Sequence, residues 1–111
     1  MNYTESLKKQ RNFNKVYKSG KSIANNLLVM YTLDNKLSKN NLAISVSKKV
    51  GNSVIRHRAT RLIRESYRLN ELSIKEGYTI LFIARNDIID KGYKEVEGAM
   101  VNLLKRTHML K

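Results

Sequence analysis

Residues 51–68 read GNSVIRHRATRLIRESYR, with five arginines, one histidine and a single carboxylate. Apolar residues nevertheless return through the segment at helical spacing, which predicts a helix from about residue 52 to 69. Asn52 or Ser53 is the candidate N-cap. At about 100° per residue, with Arg56 set to zero, Ile55, Ala59, Leu62, Ile63, Ser66 and Leu69 fall between about 220° and 340°. His57, Arg61, Arg64 and Arg68 fall between about 80° and 140°, with Arg56 and Arg58 flanking at about 0° and 200°. The two sectors hardly mix. Any fold available to this chain must dock the oily arc against other elements and leave a column of guanidinium groups in water.

The flanking sequence supplies the surface for docking. Residues 41–47 alternate, with Leu42, Ile44 and Val46 pointing one way and Ala43, Ser45 and Ser47 the other, as in a strand with one buried face. Residues 78–85, YTILFIAR, are nearly all apolar or aromatic, as in a strand covered on both sides. Upstream, residues 1–9 read as an extended arm. Residues 10–20 read as a short helix, with Phe13, Val16 and Tyr17 at i, i+3 and i+4 and Gly20 closing it. A short edge strand near 21–24 and a strand centred on 27–34 follow. The last helix spans about 91–107, with an apolar stripe of Val96, Ala99, Met100, Leu103 and Leu104. Asp87 and Asp90 read as turn and helix-cap residues before it. The order α-β-β-β-α-β-α predicts one domain over residues 1–111. Its expected fold is an α/β (α+β) two-layer sandwich with a mainly antiparallel four-stranded sheet and a crossover around the arginine-rich helix.

Charge narrows the function. The chain carries 22 Lys and Arg against 9 Asp and Glu, a formal +13, far above the ~2–8 of an ordinary small domain. Such a balance attracts polyanions, with nucleic acid ahead of anionic lipid because the basic residues are spread along the chain rather than gathered in a tail. There is no cysteine, which excludes a disulfide framework and thiolate metal sites. No signal-like or membrane-spanning apolar run is present, so the expected location is the cytoplasm and no membrane partner is expected. The arginine column, with Lys48 and Lys49 before it, faces only Glu65 nearby. A fork of guanidinium donors fits phosphate oxygens in pairs, where lysine offers a point charge. The alternative for that face is simple solvation. Gly51 reads equally well as a plain turn or as part of a phosphate seat at the helix start.

Phe13, Tyr17 and Tyr31 form a second group. Bases of single strands stack on such rings in basic grooves, but a helix packed on a sheet also needs large core residues, and both readings stand. No catalytic set emerges. His57 and His108 lie far apart in the chain, the carboxylates are scattered, and no phosphate-cradling Gly-rich loop occurs. The chain reads as a binder.

SVSKKVGNSVIRHRATRLIRES, residues 45–66, resembles the signature of the bacterial ribonuclease P protein subunit, in which Lys-Lys-x-Gly leads into an Arg-Asn-Arg helix. LKKQRNFNKVYKSGKSIAN resembles that family's first helix and YTILFIAR its last strand, so the likeness runs from about residue 7 to 107. The resemblance implies a protein that joins a catalytic RNA, one to one, to remove 5′ leaders from precursor tRNA, with Mg²⁺ chemistry in the RNA and no cofactor held by the protein alone. It implies a left-handed crossover, against the usual hand. It implies RNA-subunit contacts at Lys48, Lys49, Asn52, Arg56, His57, Arg58, Arg61, Arg64 and Arg68, and a leader-binding cleft at Phe13, Tyr17, Tyr31 and Ser45. His57 departs from the family's usual asparagine, and Thr60 from a commonly basic position. The rival expectation is a ribosomal or RNA-chaperone-type protein that binds RNA by charge without leader specificity.

Overall fold

The computed structural model describes residues 4–6 and 10–111, with side chains at Thr4 and from Asn14 onward. Its elements run β1 (Thr4–Ser6), α1 (Gln10–Ser19), β2 (Lys21–Ala24), β3 (Leu28–Asp34), β4 (Asn40–Ser45), α2 (Ser53–Asn70), β5 (Tyr78–Ala84) and α3 (Tyr93–Arg106). A 3₁₀ turn follows α2 at Glu71–Ser73, and another, Asn86–Ile88, precedes α3. The expected order and element types are present.

The sheet differs from expectation in three details. It is five-stranded, in the order β1-β4-β5-β3-β2, because the arm contributes β1. It is evenly mixed rather than mainly antiparallel: β1–β4 and β4–β5 are parallel, β5–β3 and β3–β2 antiparallel. The parallel β4–β5 pair requires a crossover, which α2 provides. It is also covered on both faces. Val16 of α1 packs on Ala43 and Leu81, while α2 and α3 pack on the opposite face around Leu28, Met30, Leu42, Ile80 and Phe82. The helices thus form two layers with the sheet between them. Alternate residues of β5 serve the two cores, which is why Ile80, Leu81 and Phe82 are all fully buried.

Local choices explain the ends. The Gly20 N–H bonds the Val16 carbonyl at 2.9 Å, and a Cβ there would stand 2.5 Å from that oxygen and 2.9 Å from the Thr32 carbonyl. Only glycine lets α1 turn so tightly into β2. Asn52 caps α2, its side chain accepting from the Ile55 N–H at 3.1 Å. Asp87 lies in the second 3₁₀ turn, and Asp90 takes a left-handed φ of 67°. The cap of α3 is Gly92, not Asp90, with Glu95 accepting from the Gly92 N–H.

One buried polar cluster fixes α2 to the sheet. Tyr67 is fully enclosed, and its hydroxyl pairs with the Thr4 hydroxyl at 2.9 Å and accepts from the Asn40 amide at 3.2 Å. Burial pushes the Tyr67 phenol above its ordinary pKa, so it stays protonated. Asn40 also donates to the Lys75 carbonyl and accepts from the Tyr78 N–H. Tyr67→Phe removes the hydroxyl that partners Thr4 and one Asn40 N–H, and should cost about 1–3 kcal/mol of unfolding free energy, measured by urea denaturation. Gly98 offers the opposite test. It lies inside α3, and a Cβ added there would meet nothing within 4 Å. Gly98→Ala should therefore stabilise the protein by about 0.5–1 kcal/mol in the same assay.

Candidate nucleic-acid interface

The roll of α2 about its own axis decides which basic groups reach solvent. Ala59, Ile63, Ser66 and Tyr67 form its buried face. Leu69, expected in the apolar arc, is 55% exposed instead, and Tyr67 takes the enclosed place. The buried sector is centred nearer Ile63 than the apolar residues alone suggest, which leaves Leu69 on its margin. His57, Arg58, Arg61, Arg64 and Arg68 are exposed. Arg56 is only half-exposed, with its Nε enclosed and lacking a hydrogen-bond partner. It lines a cavity of about 250 Å³ with Ile44, Val46, Ser53, His57 and Thr60. Thr60 donates its hydroxyl hydrogen to the Arg56 carbonyl at 2.9 Å.

Pairing within the column is uneven. Arg68 forks onto Glu65, Nε to Oε2 at 3.1 Å and Nη2 to Oε1. The expectation that the column stays unquenched therefore fails at Arg68. It holds at Arg58, Arg61 and Arg64, which have no ion pair among the described residues. The Arg68 hydrogen bonds hold the Glu65 carboxyl below its ordinary 4.5. The pair's support for the helix is therefore present above that value and fades as pH falls through the lower folded one. Lys48 and Lys49 are exposed in the turn before α2, whose Val50 is buried. Gly51 has a packing role, since a Cβ there would press on Ile55 at 2.9 Å.

The aromatic group lies on the other face of the sheet. The Tyr17 and Tyr31 rings stack with centroids 4.8 Å apart and planes 25° apart. Tyr17 is 51% exposed and Tyr31 half-buried, so the pair is partly core and partly open surface. Burial, with the Tyr17 phenol beside it, raises the Tyr31 pKa. Register places Tyr31 beside Leu81 and Ala43, and the next row on that face is Val29, Ile83 and Ser45, all half-buried. Ser45 thus shares the floor of the Tyr31 cleft. The Phe13 side chain lies outside the described residues. Arg85, one residue past the end of β5, is exposed and donates from Nη1 to the Asn25 carbonyl at 2.9 Å. Among the described residues, no three His, Asp or Glu side chains come together to form a metal site, and no helix is long and apolar enough to cross a membrane.

The two surfaces join at one end of the sheet: β4 ends at Ser45 on the cleft floor, and the chain reaches Lys48 three residues later. The fold that carries these surfaces is shared with known proteins. The family model described as Ribonuclease P matches residues 1–108. The chain belongs to the ribonuclease P protein family. The ribonuclease P protein component of Clostridium novyi is 53% identical over 108 residues, covering 96% of each chain. That of Alkaliphilus oremlandii is 51% identical over 104 residues, covering 94% of this chain and 91% of its own. The solved RNase P protein of Staphylococcus aureus superposes with a TM-score of 0.88 at 34% identity, covering 96% of this chain and 97% of that one. This chain is accordingly an RNase P protein component, an RNA-binding part of a tRNA-processing ribonucleoprotein.

In this RNase P protein, Glu65→Gln frees the Arg68 fork and raises the net charge by one. Affinity for an RNase P RNA should rise about two- to five-fold at low salt, with a steeper salt dependence in filter binding.

Proposed function

We propose that this subunit docks on the catalytic RNA through the solvent face of α2 and holds the single-stranded 5′ leader of precursor tRNA in the Tyr17–Tyr31 cleft, thereby assisting endonucleolytic removal of the leader. The reading rests on one observation: two chemically different surfaces suited to RNA lie on opposite faces of one sheet. Arg58, Arg61 and Arg64 are free to fork onto phosphates of a folded RNA. The half-open rings of Tyr17 and Tyr31 suit unpaired bases, which every sequence can offer for stacking.

The roles differ from residue to residue. Arg61 and Arg64 are the principal phosphate ligands, with Arg58, His57, Lys48 and Lys49 extending the contact. Arg68 joins when phosphate competes Glu65 away. Asn52 is committed through its oxygen to the helix cap, so only its amide NH₂ is available to RNA. Arg56 reaches RNA at the mouth of its cavity, with its enclosed Nε unpaired on the protein side. Ser45 offers a hydroxyl on the cleft floor, and Phe13 is assigned to the same leader-binding role. One protein serves one RNA in the cytoplasm, and the hydrolytic chemistry, with its Mg²⁺, belongs to the RNA partner.

Precursor tRNA should be cleaved efficiently at limiting Mg²⁺ only when protein and RNase P RNA are combined; cleavage by the protein alone would overturn the division of labour. Arg61→Ala with Arg64→Ala should weaken assembly and lower the log–log salt slope by about 1.4–1.8. Tyr17→Ala with Phe13→Ala should weaken precursor binding by about ten-fold or more and leave mature tRNA binding unchanged. A protein binding RNA by charge alone would show no such selectivity.

A further inference from the structure

Two histidines occur in the chain, and they stand in different surroundings. His108 is exposed in the turn after α3, where it takes a left-handed φ of 58°. His57 is exposed on α2 and heads the guanidinium column, with Arg61 one turn below it and Arg64 two turns below. It also lines the cavity of about 250 Å³ that it shares with Ile44, Val46, Ser53, Arg56 and Thr60. The cavity lies at the first turns of α2, the end of a helix that favours an anion.

The charged groups around His57 all have one sign. On its own helix they are Arg56, Arg58, Arg61 and Arg64, and the turn before it adds Lys48 and Lys49. The wall from β4 and the residue after it is apolar, Ile44 and Val46. Ser53 and Thr60 are neutral, and Thr60 spends its hydroxyl hydrogen on the Arg56 carbonyl. Among the described residues no carboxylate lines the cavity. The single acidic residue of α2, Glu65, is two turns away and held by Arg68. The imidazole makes no hydrogen bond or ion pair among the described residues, and the enclosed Arg56 Nε has no acceptor.

An imidazole in this place has two distinct states. Neutral, it carries one N–H and one lone pair, and the lone pair repels phosphate oxygens. Protonated, it donates from both nitrogens and adds a charge beside the Arg56 fork. Nothing facing His57 supplies the anion that a proton there would pair with, so that anion has to arrive with the ligand. A phosphodiester brings it, with two non-bridging oxygens that can accept from Arg56 and His57 together. The phosphodiester itself binds no proton near neutral pH, so a proton exchanged at this contact belongs to the imidazole.

We infer that docking of RNA on α2 takes up a proton at His57, which then holds one backbone phosphate with Arg56 at the mouth of this cavity. The proton comes from solvent and goes onto the ring nitrogen that is bare in the neutral imidazole. Affinity is therefore greatest where His57 is charged, and falls as rising pH strips the proton from the docked form. By linkage, bound RNA holds that proton more tightly in return. The inference rests on the α2 docking reading and adds a pH dependence to that surface.

The test measures binding of the whole protein to RNase P RNA, by filter binding at fixed ionic strength, from about pH 5.5 to about pH 8.5. Affinity should fall about three- to ten-fold across that range. His57→Gln, neutral throughout, should bind at every pH as the unaltered protein does at the top of the range. His57→Lys, charged throughout, should bind as the unaltered protein does at the bottom. His108→Gln should keep the full dependence. Near neutral pH, the calorimetric enthalpy of docking should vary with the ionisation enthalpy of the buffer for the unaltered protein and not for His57→Gln. A flat profile in the unaltered protein, or an unchanged slope in His57→Gln, would overturn the proton link. If Arg61→Ala with Arg64→Ala still weakened binding at every pH, docking on α2 would stand without that link. If that pair bound like the unaltered protein, the docking reading would fall and the proton link with it.

Discussion

The whole arrangement depends on how far α2 is rolled into the sheet. Ile63 and Tyr67 are completely enclosed, while Arg64 and Arg68, each the next residue along, stand in water. Successive residues on a helix differ by about 100°, so there is little latitude. A roll that buried Leu69 would carry arginine side chains toward the apolar core, where an unpaired charge costs several kcal/mol. The same roll would withdraw Tyr67 from Thr4 and Asn40, and the opposite one would press Arg56 and Arg64 toward the core. The arginines therefore define the docking as much as the apolar residues do, by excluding alternatives.

This constraint explains what was legible in the sequence. The lengths and types of α2, β5 and α3 follow from periods of two and 3.6 that persist for many residues. β1 does not, because Thr4–Ser6 is too short to show a period. Its place is set from a distance, by the parallel ladder to β4 and the hydroxyl contact to Tyr67. Strand direction is equally invisible to periodicity: the side-chain pattern of β4 is the same whether β5 runs with it or against it. Tyr67 escaped the apolar arc because its ring is apolar and its hydroxyl is not, and only the partners supplied by Thr4 and Asn40 allow it inside.

At the interface, the kinds of residue were legible and their states were not. Five arginines on one helix are evident from spacing, but Arg68 is tied to Glu65 and Arg56 is half-enclosed beside β4. Those outcomes depend on rotamers and on what packs alongside. The aromatic question resolved into a mixture for a similar reason. α1 lies on the face opposite α2, so Tyr31 is partly covered by it while Tyr17 remains half in solvent.

A shared strand end gives these surfaces a fixed relation. β4 carries Ser45 on the floor of the cleft and then leads through a short turn into the arginine helix, and β5 beside it ends at Ala84. A hydrogen-bonded sheet resists stretching, so under the proposed function RNA docked on α2 would be kept at a set distance from a strand lying over Val29, Ile83 and Ser45. The excess of 22 basic over 9 acidic residues then acts twice. Under the proposed function it would draw both RNA elements in, at rates and affinities that fall with salt. It also makes the free protein repel itself, so that phosphates on α2 relieve repulsion along with forming contacts. Anything bound only by the folded form stabilises that form by mass action. An RNA partner docked on α2 as proposed would thus tighten the same scaffold that carries the cleft.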